Sequence, residues 1–126
     1  MRYLLTADRV LEGQELKEIK NGAVVAEDEK IVYVGQKDDA KKQYPDAEEI
    51  DLPGKTLMPG LFECHNHLAM DARVAGHLGM MELGPCEHTI MAIKNMKDDL
   101  MAGVTTARCL GDRKYIDVTL REKVRQ

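Results

Sequence analysis

Nine residues near the middle of the chain, Pro59-Gly60-Leu61-Phe62-Glu63-Cys64-His65-Asn66-His67, limit what it can fold into more than any other stretch. Pro-Gly sets a turn, Leu61 and Phe62 begin an apolar run that reads as a buried strand, and the run ends in two histidines spaced i, i+2. On a strand that spacing projects both imidazoles from one face, whereas on a helix it would splay them apart. Two neutral imidazoles on one rigid strand are a natural pair of ligands for a zinc-like ion. His-x-His alone is a weak signal, because two polar residues on an exposed strand make the same pattern. The surrounding phrase strengthens it.

The histidines come where the apolar run gives way to sequence rich in Gly and Met, at a strand end before a loop, which is where barrel enzymes present ligands. That connection, residues 68 to 86, contains Gly76, Gly79, Gly84 and Pro85 and is long enough to cover a site mouth. Within it His77 reads as a surface histidine within reach of a substrate, and Met70, Met80 and Met81 as a lid or interface lining. Thr89 then serves as N-cap for a helix that runs to Ala102 and stops at Gly103. Ile90, Ile93, Met96, Leu100 and Met101 share one arc of it, Lys94, Asn95, Asp98 and Asp99 face away, and Lys97 snorkels from the apolar side. Residues 104 to 110 form the next strand, and strand, helix of at least ~12 residues and strand make a parallel βαβ unit. Ile116, Leu120 and Val124 mark one face of a second helix, with Asp117 and Arg121 as an i, i+4 pair.

Upstream, residues 2 to 5 and 9 to 11 read as short strands. Asn21-Gly22 opens a hairpin in which residues 23 to 27 and 30 to 34 pair across Asp28-Glu29. Residues 37 to 44 are a solvated helical turn stopped by Pro45, and residues 50 to 52 and 55 to 58 are short strands around Pro53-Gly54.

With 44% hydrophobic and 32% charged residues the composition is that of a globular chain, neither disordered nor membrane-spanning. One Phe, four Tyr and no Trp leave aliphatics and eight Met to fill the core, which is therefore thin. A net charge of -4 gives no reason to expect nucleic acid or an anionic membrane as partner. The cluster Arg113, Lys114, Arg121, Lys123, Arg125 is interrupted by Asp117 and Glu122 and reads as a solvated helix face. Asp8 and Arg9 break the apolar start, and no stretch approaches ~18 apolar residues, so a cytoplasmic location is expected. Three cysteines without framework spacing suit a reducing compartment. Cys64 alternates away from the histidines and reads as a small buried hydrophobe. Cys86, in the loop after Gly84-Pro85, lies two residues from His88 but has no fixed geometry that would make it a nucleophile.

The phrase Pro-Gly-Leu-apolar-acid-x-His-x-His resembles the first barrel strand of the amidohydrolase superfamily, metal-dependent hydrolases that act mainly on carbon-nitrogen bonds. Gly103-Val104-Thr105-Thr106-Ala107-Arg108-Cys109-Leu110-Gly111-Asp112, with residues 115 to 121 after it, is similar to the second strand and helix of the branch with imidazolonepropionase-like and Xaa-Pro dipeptidase-like members. The resemblance implies an α/β fold. Residues 58 to 126 would open a (β/α)8 TIM-type barrel, and residues 1 to 57 would be part of a small β-rich, sandwich-like domain. Glu63 stands where the family most often has Asp, and Cys109 where the branch often has Asp. A barrel of ~250 residues exceeds the 126 present, so the chain reads as truncated.

By the same resemblance His65 and His67 are ligands of a divalent metal, zinc first among candidates, with one or two ions in the full-length enzyme. The bridging carbamylated Lys or Glu, further histidines and the catalytic Asp belong to later strands, leaving no catalytic residue here. The implied chemistry is hydrolysis of an amide or peptide-like C–N bond by a metal-activated water, on a small-molecule substrate such as a dipeptide, N-acyl amino acid or cyclic amide. Two alternatives stay open. One is a deaminase of the same superfamily; the other is an inactive fragment or interaction module whose open sheet edge pairs with a partner or a second copy, as a homo-oligomer.

Overall fold

Alternation carries the first strand further than its short apolar runs suggest. β1 is continuous from Arg2–Glu12, where the sequence suggested two strands. Its antiparallel partner β2, Lys17–Glu27, stays in register from Arg2 opposite Glu27 to Glu12 opposite Lys17, so the ladder bridges the polar Asp8. The computed structural model describes residues 1–71 and 83–125, which fall into two units, Met1–Pro59 and Gly60–Gln126.

In the first unit β2 turns through Asp28-Glu29 into β3, Lys30–Gln36, as the sequence leads one to expect. Asp28 takes the left-handed conformation, φ +52°, that a short polar side chain tolerates. Asn21-Gly22, by contrast, lies inside β2 instead of opening it. Gly22 is needed there because β2 passes close over Val10, whose Cγ2 would lie 2.6 Å from an added Cβ. Helix α1, Lys37–Gln43, follows and ends before Pro45 as expected. β4, Glu48–Leu57, is again one strand instead of two and runs parallel to β1, giving the sheet order β3-β2-β1-β4. Pro53-Gly54-Lys55 is absorbed as a bulge between the pairs Ala7–Leu52 and Arg9–Thr56. Gly54, φ +71°, donates its N–H to the Asp8 carboxylate at 3.1 Å.

Leu4, Ala23 and Val25 of the sheet pack on Ala40 of α1, with Tyr33, Tyr44 and Ala47 around them. Arg2 fastens one end. It donates to Glu27 at 2.7 Å and Asp46 at 3.2 Å and lies over the Tyr44 ring, 5.4 Å from its centroid.

The second unit is a parallel pair, β5, Leu61–Asn66, and β6, Val104–Cys109, with α2, Pro85–Met101, between them in sequence. A 3-10 turn, Arg113–Tyr115, leads into α3, Ile116–Val124. α2 begins earlier than the Thr89 expectation, with Gly84 as N-cap and Pro85 at the first helical position. Glu87 reaches back to accept the Gly84 N–H at 2.9 Å, and Thr89 donates to the Pro85 carbonyl within the helix. Cys86 is therefore helical and exposed. The C-terminus ends as expected at Gly103, φ +97°, whose N–H donates to the Leu100 carbonyl.

The face α2 buries differs from the expected one. Ile90, Ile93, Leu100 and Met101 are exposed, while His88, Ala92, Asn95, Met96 and Asp99 turn inward. Hydrogen bonds explain the rotation: Asn95 and Asp99, expected to face solvent, bond to the end of β5 and the turn after it. Leu68, Ala69, Ala92 and Ile116 form the core of this unit, with Met96, Cys109 and Leu120 against them. Val124 is exposed, and Arg121 pairs with the adjacent Glu122 at 3.1 Å instead of with Asp117. Leu61, Phe62 and Cys64, expected to be buried, are exposed, Phe62 at 73%. Two strands, two helices and one 3-10 turn, the elements of this unit among the described residues, do not cover both faces of a parallel pair. Gly76, His77, Gly79, Met80 and Met81 lie outside the described residues. Among those described, no helix is long and apolar enough to cross a membrane.

Two outcomes follow. Burial, then the nearby Asp112, Asp117 and Asp99 carboxylates, push the Cys109 thiol up, so a thiol-alkylating reagent at neutral pH should modify exposed Cys64 and Cys86 well before Cys109. Peptide mapping after timed alkylation checks this. Gly22→Ala should cost about 1–3 kcal/mol by overpacking Val10, and adding Val10→Ala should cost less than the sum of the two single changes. Urea unfolding followed by tyrosine fluorescence measures both.

Candidate functional site

The histidine pair sits at the C-terminal end of β5, as expected from its spacing. His65 belongs to the strand, His67 is the first residue beyond it, and their rings stand edge to face with centroids 5.2 Å apart. The β5–β6 register slips between the pairs Glu63–Ala107 and Asn66–Cys109, three residues against two. At the slip the His65 N–H donates to Glu63 Oε1 at 2.8 Å. The Glu63 carboxylate thus finds its partner in the backbone of its own strand, at an exposed position.

Beyond His67 the chain makes a turn, closed by the Met70 N–H on the His67 carbonyl at 3.2 Å. Its two central amides, Leu68 and Ala69, donate to Asp112 Oδ2 and Oδ1 at 3.0 and 3.1 Å. Asn95 Nδ2 donates to the carbonyls of both Leu68 and Met70 at 2.8 Å. Between the histidines, Asn66 donates its side-chain amide to Asp99 at 2.7 Å, and its carbonyl accepts the Leu110 N–H at 3.0 Å. Sequence reasoning missed Asn95, Asp99 and Asp112 as neighbours of the pair. A possible signal was the position of Asp112 just before a helical turn, which reads as a cap and not as an acceptor for a turn 43 or 44 residues away.

Cys109 packs against the core instead of carrying a charge toward the histidines. Cys86 and His88, two apart on a helix, point in different directions. His88 is 2% exposed, and its Nδ1 has no hydrogen-bond partner among the described residues. A groove of about 690 Å³ bordered by Met96, Val104, Thr106, Cys109, Val118 and Arg121 is lined by neither His65 nor His67.

Imidazole nitrogen suits a zinc-like ion, and two rings this close on one strand end can share one. Among the described residues no group of three His, Cys, Asp or Glu gathers around such an ion. The pair therefore fits as part of a ligand set.

No family model matches the chain. Imidazolonepropionase of Staphylococcus aureus (strain JH9) is 46% identical over 66 residues, covering 50% of this chain and 15% of that protein. A prolidase crystallised with N-methylphosphonate-L-proline is similar in fold, with a TM-score of 0.70 and 28% identity, over 88% of this chain and 26% of its own. The guanine deaminase of E. coli matches at a TM-score of 0.76 and 21% identity, over 94% of this chain and 32% of its own. The chain thus spans a minor part of the length of each of these proteins. Local sequence identity and a fold shared over most of its residues make the chain similar to members of the amidohydrolase superfamily.

Proposed function

We propose that the chain carries the two-histidine strand of a metal-dependent hydrolase acting on amide or peptide-like C–N bonds. The observation that carries this reading is the pair of imidazoles, centroids 5.2 Å apart, at the C-terminal end of a strand whose neighbour is parallel. In parallel α/β architectures that end of the strands is where ligands bind. On this reading residues 58 to 126 are the opening units of a (β/α)8 barrel and residues 1 to 57 part of a β-rich domain that precedes it in sequence. The location would be cytoplasmic.

Divalent metal ions are general in the superfamily. Here His65 and His67 would hold one, zinc by the chemistry of the donors, and it would supply Lewis acidity and an activated water. The chain's own residues bind and orient: both rings must be neutral to ligate, and Glu63 fixes the backbone of His65. In the family the remaining ligands and the catalytic carboxylate come from later barrel strands. The names of the relatives, imidazolonepropionase and prolidase, favour a small cyclic amide or a dipeptide as substrate. Deamination is the second reading, favoured by the similarity in fold to guanine deaminase.

Two imidazoles fall short of the three protein ligands usual for catalytic zinc, so calorimetric titration of the 126-residue chain should find weak zinc binding or none. A tight stoichiometric site that survives mutation of everything except His65 and His67 would overturn this account. The same chain should self-associate in light scattering, because exposed Leu61 and Phe62 flank strand edges that no other described strand pairs with, and should not turn over dipeptides or cyclic amides with or without zinc. To test the hydrolase reading, the matching segment of imidazolonepropionase is replaced by this sequence. The chimera should hydrolyse its cyclic amide and lose all measurable activity in His65→Ala or His67→Ala; activity that survives both changes would refute the assignment.

A further inference from the structure

We propose that Asp112, Asn95 and Asp99 are positioning residues that hold His65 and His67 in ligating geometry, an inference that rests on reading the two histidines as ligands. His67 lies past the last residue of β5, so the β ladder does not fix its backbone. The turn that starts at its carbonyl does. Both central amides of that turn end on the two oxygens of one carboxylate, Asp112, and two of its carbonyls end on one amide nitrogen, Asn95. Leu68 and Ala69 are buried, which leaves their N–H groups dependent on a protein acceptor, and a carboxylate is the strongest available. Asn66, between the histidines, is tied through its side chain to Asp99 and through its carbonyl to Leu110. Partners from α2 and from the loop after β6 thus hold the backbone on either side of His67, and Asn66 is shared by both rings' segments. A role confined to folding would stabilise the turn without altering how well the two rings chelate; positioning predicts that chelation itself weakens when the turn is loosened.

Copper(II) nitrilotriacetate tests this on the whole chain. Its two open cis positions take two imidazoles at once, so it reports the geometry of the pair without needing a third protein ligand. Titration followed by electron paramagnetic resonance should show binding to the unmodified chain that disappears in His65→Ala and in His67→Ala. Asp112→Asn, which keeps size but turns one acceptor into a donor, should weaken binding about 10-fold with an unchanged far-UV circular dichroism spectrum. Asn95→Ala, which leaves Asp112 in place, should do the same and decides the matter if Asp112→Asn loses its native spectrum. Native spectra with unmodified affinity in both variants would overturn the positioning role and leave the ligand assignment standing. Loss of the native spectrum in both would make the role purely structural and also overturn it. Binding to the unmodified chain that ignores His65 and His67 would overturn the ligand assignment itself.

Discussion

One carboxylate accepting two consecutive backbone amides organises the second unit. Asp112 faces the N–H groups of Leu68 and Ala69, and those residues can be buried against Ala92 and Ile116 because their amides are satisfied there. The turn, the inward face of α2 and the start of α3 meet at this point. A neutral acceptor would hold the turn less firmly, since hydrogen bonds to a charged group are about twice as strong as neutral ones. That a polar contact carries so much reflects a core made of Leu, Ala and Ile with no large aromatic in it.

The first unit meets the same constraint with side-chain ion pairs. Its sheet closes over Ala40 through small side chains, and Arg2 draws together the end of β2 and the segment before β4 while stacking on Tyr44. Asp51 accepts from the buried Thr6 hydroxyl and from Lys37, and these two partners hold its carboxyl below the usual range. In both units a thin apolar core is supplemented by charged groups placed where the backbone bends.

What could be read from the sequence was what local chemistry decides. The hairpin at Asp28-Glu29, the stop of α1 before Pro45, the stop of α2 at Gly103 and the parallel pairing of β5 and β6 all rest on turn residues, caps and spacing. The projection of His65 and His67 from one strand end follows from the same periodicity. What could not be read depends on partners distant in sequence. β1 and β4 continue through Asp8 and Pro53-Gly54 because the neighbouring strand accommodates them. α2 turns Asn95 and Asp99 inward, half-buried, in preference to Ile90 and Ile93 because their acceptors and donors lie about 25 to 33 residues upstream, which no helical wheel records. Leu61 and Phe62 read as buried because hydrophobicity reports a preference for cover, not the presence of the cover.

The bulge in β4 has an effect beyond accommodating a Pro-Gly pair. β4 and β3 are the two margins of the first sheet, and a margin with evenly spaced N–H and C=O groups is a template for a strand from another molecule. Pro53 offers no N–H, and the bulge beside it spoils the spacing for any incoming strand. β3 has an irregularity of its own, since Val32 is an extra residue between the pairs Val25–Tyr33 and Ala26–Ile31, next to exposed Ile31. Intermolecular strand addition to the first unit is therefore opposed at both margins: at β4 by a proline and a bulge, and at β3 by the extra residue Val32 and the charge of Lys30.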